Sequence, residues 1–390
     1  MHFEANLRVS QARRLEELRQ RVLGTINRLI RQVAASQGVE PLEISHAALS
    51  GNTVMTHLLL GLNPEYLRLA PYIPTLLEAP CLRNAEVGLE VHPQARLVFS
   101  PCVGSYVGGD ITAGILCTDL AADTEEINLF IDIGTNGEVV VGNNSFLMAC
   151  ACSAGPAFEG GGIECGMRAA TGAIDKIQVD PATGTASCST VGNGPPRGIC
   201  GSGMIDLVAG LFRTGWIDAA GKFDRVRPCP AIRAQGRRAS YTLAAAEASA
   251  DGKPIVVSEI DLENIIRTKA SIYSACALML KQVGLEFGGL CHVYIAGGFG
   301  RFLDLENAIL IGLLPDLPPE KFHYLGNASL TGSFMAAVSR TCRRRQLALA
   351  RRLTYLELNT DPAYMEQYTG ALFLPHTDPA RFPSVKPRRA

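Results

Sequence analysis

The chain has 390 residues, more than a single hydrophobic core usually organises, so two lobes are the first expectation. It is 47% hydrophobic and only 19% charged, which excludes a disordered chain, and its net charge of -1 provides no broad basic field for a nucleic-acid backbone. No run of about 18 uninterrupted apolar residues occurs and the start, MHFEANLRVSQARR, lacks the apolar stretch of a signal peptide, so no membrane span and a cytoplasmic location are expected.

In chain order, Leu15, Leu18, Val22, Ile26, Leu29, Ile30 and Val33 recur at helical spacing and predict an amphipathic helix ending near Gly38. A short strand at His46–Gly51 leads through GNTVMTHLLLG into a helix. A buried strand follows at Arg96–Val103, and then a helix beginning GGDITAG, with Asp110 in its first turn, where a carboxylate suits the helix dipole. From Leu129 the texture changes: LFIDIG, EVVVGN and FLMACA are short apolar runs parted by turn residues and predict an antiparallel meander. Strands are expected at Ala173–Val179 and Thr185–Val191, then a glycine turn, GICGSG, entering a helix capped by Ser202. The segment Pro228–Pro254 reads as loop. A long amphipathic helix over Asp261–Val283 precedes a buried strand, HVYIAGG, and two further helices near Leu305 and Leu330. The arginines at 343–345 read as a solvated helix face.

The twelve cysteines include no CxxC pair and no ferredoxin-like run, so neither a zinc ribbon nor an iron–sulfur site is readable. Cys150 and Cys152 alternate as two positions on one strand face.

Two motifs carry chemistry. In LFIDIGTNGEVVVG a buried strand delivers Asp132 to a glycine-containing hairpin. Gly134 and Gly137 lack a Cβ and permit close approach of backbone N–H groups to a phosphate, and Thr135 and Asn136 add side-chain donors. Asp132 is placed to hold a hydrated Mg2+ ion, which keeps several waters and takes few carboxylates, while Glu138 is placed to orient a nucleophilic water. Simple hairpin closure explains Asn136-Gly137 but not a carboxylate ending an apolar strand. The second motif is IAGGFG, where Gly297, Gly298 and Gly300 follow a strand and let a flat ligand lie against the backbone. The glycine-rich stretch Ser153–Asp175 reads as a cleft-lining loop. Glu159 and Asp175 in that loop, and Asp110 earlier, are candidate second-layer magnesium or water ligands.

The order hairpin, then glycine turn, is similar to that of the acetate kinase, sugar kinase, chaperone and actin superfamily, in which GNASLTGS, with Gly326, fits the helix after the adenosine motif. A more specific resemblance runs over nearly the whole chain. GNTVMTHLLLGLNP, PYIP, YVGGDITAGIL, IDIGTNGE, AGPAFEGGGIECGM, GAID, GICGSGMIDLVAGL, IAGGFG and ALFLPHTDPARFPS resemble the serial motifs of the ATP-dependent reductive activators of corrinoid iron–sulfur proteins and methyltransferases. The resemblance implies an α/β, two-lobed actin-like ATPase (ribonuclease H-like) fold with mixed sheets flanked by helices. It implies ATP and Mg2+ as cofactors, with Asp132, Gly134, Thr135, Asn136 and Gly137 cradling phosphate and Gly297, Gly298 and Gly300 bordering adenosine. The implied partner is a corrinoid protein or corrinoid methyltransferase, with a separate iron–sulfur electron donor, since complete members carry their own iron–sulfur domain and this chain holds no cluster ligands. Complete members also carry a first Asp-x-Gly-Thr hairpin, and residues 1–128 contain none, so the first lobe is expected to be incomplete. The expected division is 1–123 as a partial first lobe, 124–329 as the nucleotide-binding second lobe, and 330–390 as a C-terminal helix and tail packing back toward the first lobe. A small-molecule kinase of the same superfamily and a non-catalytic docking module for a corrinoid protein are the alternatives.

Overall fold

The computed structural model describes residues 2–298 and 303–385, with side chains from residue 13 onward in the first helix. In chain order the elements are α1 (His2–Gln37), β1 (His46–Leu49), α2 (Thr53–Leu60), β2 (Leu82–Arg83), α3 (Asn84–Val87), β3 (Arg96–Phe99) and α4 (Gly109–Gly114). They continue with β4 (Asn128–Ile133), β5 (Gly137–Gly142), β6 (Leu147–Cys152), β7 (Ala173–Val179), β8 (Ala186–Thr190), β9 (Gly198–Ile199) and α5 (Gly201–Thr214). Next come β10 (Ile232–Gln235), β11 (Arg238–Ala244), β12 (Ile255–Ser258), α6 (Glu259–Gln282), β13 (His292–Ala296) and α7 (Leu305–Leu310). The last are β14 (Phe322–Gly326), α8 (Ala328–Val338), α9 (Arg340–Arg352), β15 (Leu353–Tyr355) and α10 (Pro362–Ala371).

The chain forms two compact units. The first comprises residues 1–125, 142–149 and 327–356, and the second comprises 126–141, 150–326 and 357–390. In the first unit β1, β3 and β2 form a sheet in that order, with β1 and β3 parallel. Its core gathers Leu23 of α1, Leu59 of α2, Val87, Leu89, Leu97 and Phe99. The turn into α2 is fixed by Asn52, whose side chain accepts from the Met55 amide at 2.8 Å, and the helix stops at Gly61, where φ is +70°. β15 pairs in parallel with Leu147–Ala149 of β6.

In the second unit the main sheet runs β14-β13-β4-β5-β6. β4 pairs in parallel with β13, and β13 in parallel with β14. Two smaller sheets, β8-β7-β9 and β10-β11-β12, complete it. The last of these occupies Pro228–Pro254 and beyond, which reads as loop in the sequence. β11 alternates in burial, with Ala239, Tyr241 and Leu243 inside, and Tyr241 is fully buried with its hydroxyl donating to the Gly184 carbonyl at 2.8 Å. α6 starts on a reciprocal cap, in which Ser258 Oγ accepts from the Asp261 amide and Asp261 Oδ2 accepts from the Ser258 amide. α5 starts differently from expectation: Cys200 occupies the cap position without a side-chain capping bond, its thiol donating instead to the Ile174 carbonyl at 3.2 Å, and Ser202 lies inside the helix.

Candidate functional site

β4 is an apolar run that ends in a carboxylate. Leu129, Phe130 and Ile131 are fully buried, and Asp132 emerges half-buried at the strand's end. β13 lies beside it with Ala296 opposite Asp132, and β14 lies beside β13 with Gly326 opposite Ala296. Three strand ends from distant parts of the chain therefore stop on one line. The carboxyl ends of parallel strands are where α/β sheets bind ligands, because the chain turns away there and leaves a crevice.

Gly297 makes the line tight. It adopts φ +104°, and its amide donates to the Gly326 carbonyl at 3.0 Å. A Cβ at this position would lie 3.2 Å from Asp132 Oδ1, and under 3.0 Å from the Ile133 carbonyl oxygen. Glycine is thus required twice over, by backbone conformation and by the approach of β13 to β4. Gly298 is exposed, with open space where its Cβ would be, and so is the Cβ direction of Gly326. Gly300 lies outside the described residues.

The hairpin tip between β4 and β5 closes on itself, the Gly134 amide donating to the Asn136 carbonyl at 3.0 Å. Thr135 and Asn136 are exposed, and the Thr135 hydroxyl donates to Glu159 Oε2 at 2.7 Å, which brings the glycine-rich loop onto the tip. Gly137 is buried, and its missing side chain is explained by packing: a Cβ would meet Cys152 Sγ at 2.7 Å and Ile272 Cγ1 at 3.0 Å. Glu138, next along β5, is half-buried. Burial pushes the Cys152 thiol up to about 12, with the Glu138 charge adding to it, and a buried, protonated thiol of this kind is inert.

The remaining candidates sit elsewhere. Asp175 lies on β7 and accepts a cross-strand bond from the Ser189 hydroxyl at 3.4 Å. Asp110 belongs to the first unit, where its Oδ1 accepts from the Ile111 amide at 3.0 Å and burial raises its carboxyl above the usual range. Sequence reasoning missed Asp206 on α5. Burial raises its carboxyl, Oδ1 accepts from Asn307 Nδ2 at 2.8 Å and Oδ2 from the Ile177 amide at 3.3 Å. With Arg213 donating to Glu306 and Asn307 at 2.9 Å, this ties α5 to α7, the helix after the Gly297 turn. The one available signal was an acid in the otherwise apolar stretch GMIDLVAGLF.

Comparison with known proteins places this geometry. A family profile described as the C-terminal domain of RACo, the ASKHA domain, matches residues 126–386, and one described as the RACo middle region matches residues 6–123. "Corrinoid activation enzyme RamQ" of Eubacterium limosum is 33% identical over 361 residues, covering 91% of this chain and 60% of that protein. "[Co(II) methylated amine-specific corrinoid protein] reductase" of Methanosarcina barkeri is 26% identical over 257 residues, covering 60% of this chain and 43% of that protein. A solved structure titled "Reductive activator for corrinoid,iron-sulfur protein" superposes with a TM-score of 0.89 at 48% identity, covering 95% of this chain and 59% of the other. The chain spans about three fifths of the first relative and of the solved structure. With both profiles matched in order, the chain belongs to the RACo family, to whose middle region and C-terminal ASKHA domain it corresponds.

Proposed function

We propose that the strand ends of the second unit hold magnesium-ATP, and that the chain is the nucleotide-dependent component of a reductive activator for a corrinoid methyl-transfer protein. The observation that carries the reading is the closeness of Asp132 to Gly297: one carboxylate oxygen lies 3.2 Å from where a Cβ at 297 would stand. A carboxylate and a glycine turn at one strand-end crevice fit a magnesium ion that takes few protein ligands and a nucleotide lying flat against backbone. Asp132 would take up the metal's water shell, the Thr135–Asn136 tip would offer donors to phosphate, and Glu138 would orient a water. Gly298 and Gly326 leave open space for the nucleoside. Bound magnesium-ATP would supply the free energy that makes an unfavourable electron transfer proceed.

The coupling rests on chemistry. Reduction of Co(II) to Co(I) moves one electron uphill from an iron–sulfur donor to the corrinoid, and a nucleotide can drive it only by binding one state of the activator better than another. The corrinoid partner in this proposal is supported by the names of the relatives, and a cytoplasmic setting is proposed with it. Among the described residues no helix is long and apolar enough to cross a membrane.

Isothermal titration tests the site. Wild-type chain should bind magnesium-ATP, and Asp132→Ala should weaken the affinity at least about tenfold, the loss of roughly 1.4 kcal/mol expected for one charge-assisted contact. A wild-type chain without measurable affinity would remove the mechanism.

A further inference from the structure

At the end of β13 away from Gly297, the main sheet holds a pair of imidazoles that the nucleotide reading does not use. β13 begins at His292, whose register partner on β4 is Asn128, and His323 on β14 is the register partner of Tyr294. Residues opposite one another on neighbouring strands share a face, as do residues two apart on one strand, so Asn128, His292, Tyr294 and His323 stand on one side of the sheet. His292 Nδ1 lies 2.9 Å from His323 Nε2, and the ring centroids are 4.9 Å apart at 56°. Tyr294, itself buried, backs both rings: it stacks on His323 at 5.1 Å and lies 6.0 Å from His292.

Two neutral imidazoles this close share one proton, one ring donating and the other accepting. Glu126 Oε2 is 3.8 Å from His292 Nε2, the other nitrogen of that ring, and a carboxylate there favours the proton on Nε2. Nδ1 is then the acceptor and His323 Nε2 the donor. Beside them a second polar group is left over. Asn128 is fully buried, and its Nδ2 donates to the Glu126 carbonyl at 3.2 Å, which fixes the orientation of the amide. Among the described residues its Oδ1 meets no donor. A buried acceptor without a donor is rare in a native protein and calls for a water or an ion to complete it.

We infer that His292 Nδ1 and His323 Nε2 hold one divalent transition-metal ion that favours square-planar or tetragonal coordination, Cu2+ or Ni2+, with Glu126 fixing the His292 tautomer and Asn128 Oδ1 accepting from a metal-bound water. The separation selects the metal. Two nitrogens 2.9 Å apart, each about 2.05 Å from one ion, subtend about 90°, the cis angle of a square, whereas a tetrahedral Zn2+ would hold them about 3.3 Å apart. His323 becomes a neutral ligand by passing its proton from Nε2 to Nδ1, and the rings turn about χ2, a soft torsion, to face the ion. A carboxylate behind a ligating histidine is the usual means of fixing such a ring. Among the described residues no group of three or more histidines, cysteines or carboxylates converges, so water completes the coordination. His292 is 32% exposed, which gives the ion a way in. The site lies wholly in the second unit, and Asn128 is four residues from Asp132 along β4, about 13 Å at the rise of a strand, so it does not depend on the nucleotide reading.

The test titrates the full chain with Cu2+ alone, read by calorimetry and by electron paramagnetic resonance. Wild type should bind one more equivalent than His292→Gln or His323→Gln, a difference in which metal held by the other histidines cancels. His46→Gln, at an exposed histidine of the first unit, should bind as wild type does. The resonance of the extra equivalent should be axial, with coupling to two nitrogens. Zn2+ should occupy this site at least tenfold more weakly than Cu2+. Without any variant, Cu2+ should broaden the amide signals of His292, Tyr294 and His323 in the nuclear magnetic resonance spectrum of the wild type. Asp132→Ala should leave all of this unchanged, so failure here and failure of the nucleotide reading are told apart. Three results would each overturn the inference: equal stoichiometry for wild type and both histidine variants, a spectrum with coupling to a single nitrogen, or Cu2+ that saturates the chain without broadening those three amides.

Discussion

Gly297→Ala is the substitution that most directly probes the strand-end geometry. The residue has φ +104°, and the new Cβ would sit 3.1 Å from the Ile133 carbonyl carbon and closer still to its oxygen. An L-residue in left-handed space costs about 1–2 kcal/mol. The obstructing atom belongs to the backbone of β4, which cannot swing aside as a side chain does, so relief requires parting β13 from β4 at a cost of about 1–3 kcal/mol by analogy with overpacked cores. A total of about 3 kcal/mol would lower the thermal midpoint by roughly 6–12 °C in a unit of this size. Gly298→Ala is the control, because its Cβ would meet nothing within 4 Å. Parting the strands also shifts Asp132, so Gly297→Ala should weaken magnesium-ATP binding beyond tenfold in titration at a temperature where the variant is folded, whereas Gly298→Ala keeps its midpoint within about 1 °C of wild type, in line with the small effects of surface substitutions. Equal midpoints and equal affinities for the two variants would refute the argument that β13 and β4 form one site.

Other perturbations read other parts of the molecule. Gly332→Ala should destabilise the first unit by about 2 kcal/mol in urea unfolding, since α8 must lift off the Ala113 carbonyl. Lys269 is fully buried on α6, and its amine donates to the carbonyls of Phe373 and Pro375 at 2.6 and 2.7 Å. Lys269→Ala leaves both carbonyls unpaired beside a void and should cost about 3 kcal/mol. Burial pushes the Lys269 ammonium well below its ordinary value, so the unfolded chain binds the extra proton and stability should rise with pH toward the ordinary lysine value of about 10.4, by at most about 1.4 kcal/mol per unit; Lys269→Met should flatten that slope. Burial, aided by Arg381 and Lys269, holds His376 down to about 4 beside the rings of Tyr273 and Phe382. The unfolded state again takes the proton first, so as pH falls from about 6.5 to 4 the wild type should lose about 1 kcal/mol, discounted for partial exposure, that His376→Phe retains in melts across this range. Glu159→Gln should reduce the magnesium dependence of ATP binding, because the Thr135 hydroxyl now holds a carboxylate beside the tip where phosphate charge would gather.

The elements legible in the sequence were those whose burial is written in consecutive residues. β4 is a continuous apolar run, as a strand covered on both faces must be, and α6 shows both its periodicity and its Ser258–Asp261 cap. β11 was illegible because its inward positions are Ala239, Tyr241 and Leu243 while Arg237 and Arg238 stand just before and at its start, so the alternation is faint without the paired strands. Lys269 reads as a polar-face residue, since nothing nearby in sequence announces two carbonyl acceptors more than a hundred positions away. Asp132 could be singled out because a carboxylate at the end of an apolar strand has no packing reason to be there. Asp206 could not, because its partners Asn307 and Ile177 come from α7 and β7.

The glycines of the site fall into two physical kinds, and the sequence does not distinguish them. At 137 and 297 the Cβ position is already filled, by Cys152 and Ile272 in one case and by the backbone of Ile133 in the other. These residues let strands and helices close up, and their substitution acts through the fold. At 134, 298 and 326 nothing stands within about 3.8 Å of the Cβ position, so no neighbour demands glycine there. Gly134 and Gly298 have no left-handed φ either, so neither packing nor backbone conformation requires glycine there. Crowded glycines thus set the distance between Asp132 and the β13 turn, and open ones border the space into which that carboxylate emerges. A nucleotide seated here would approach through the open set, and its affinity would depend on the crowded set without touching it.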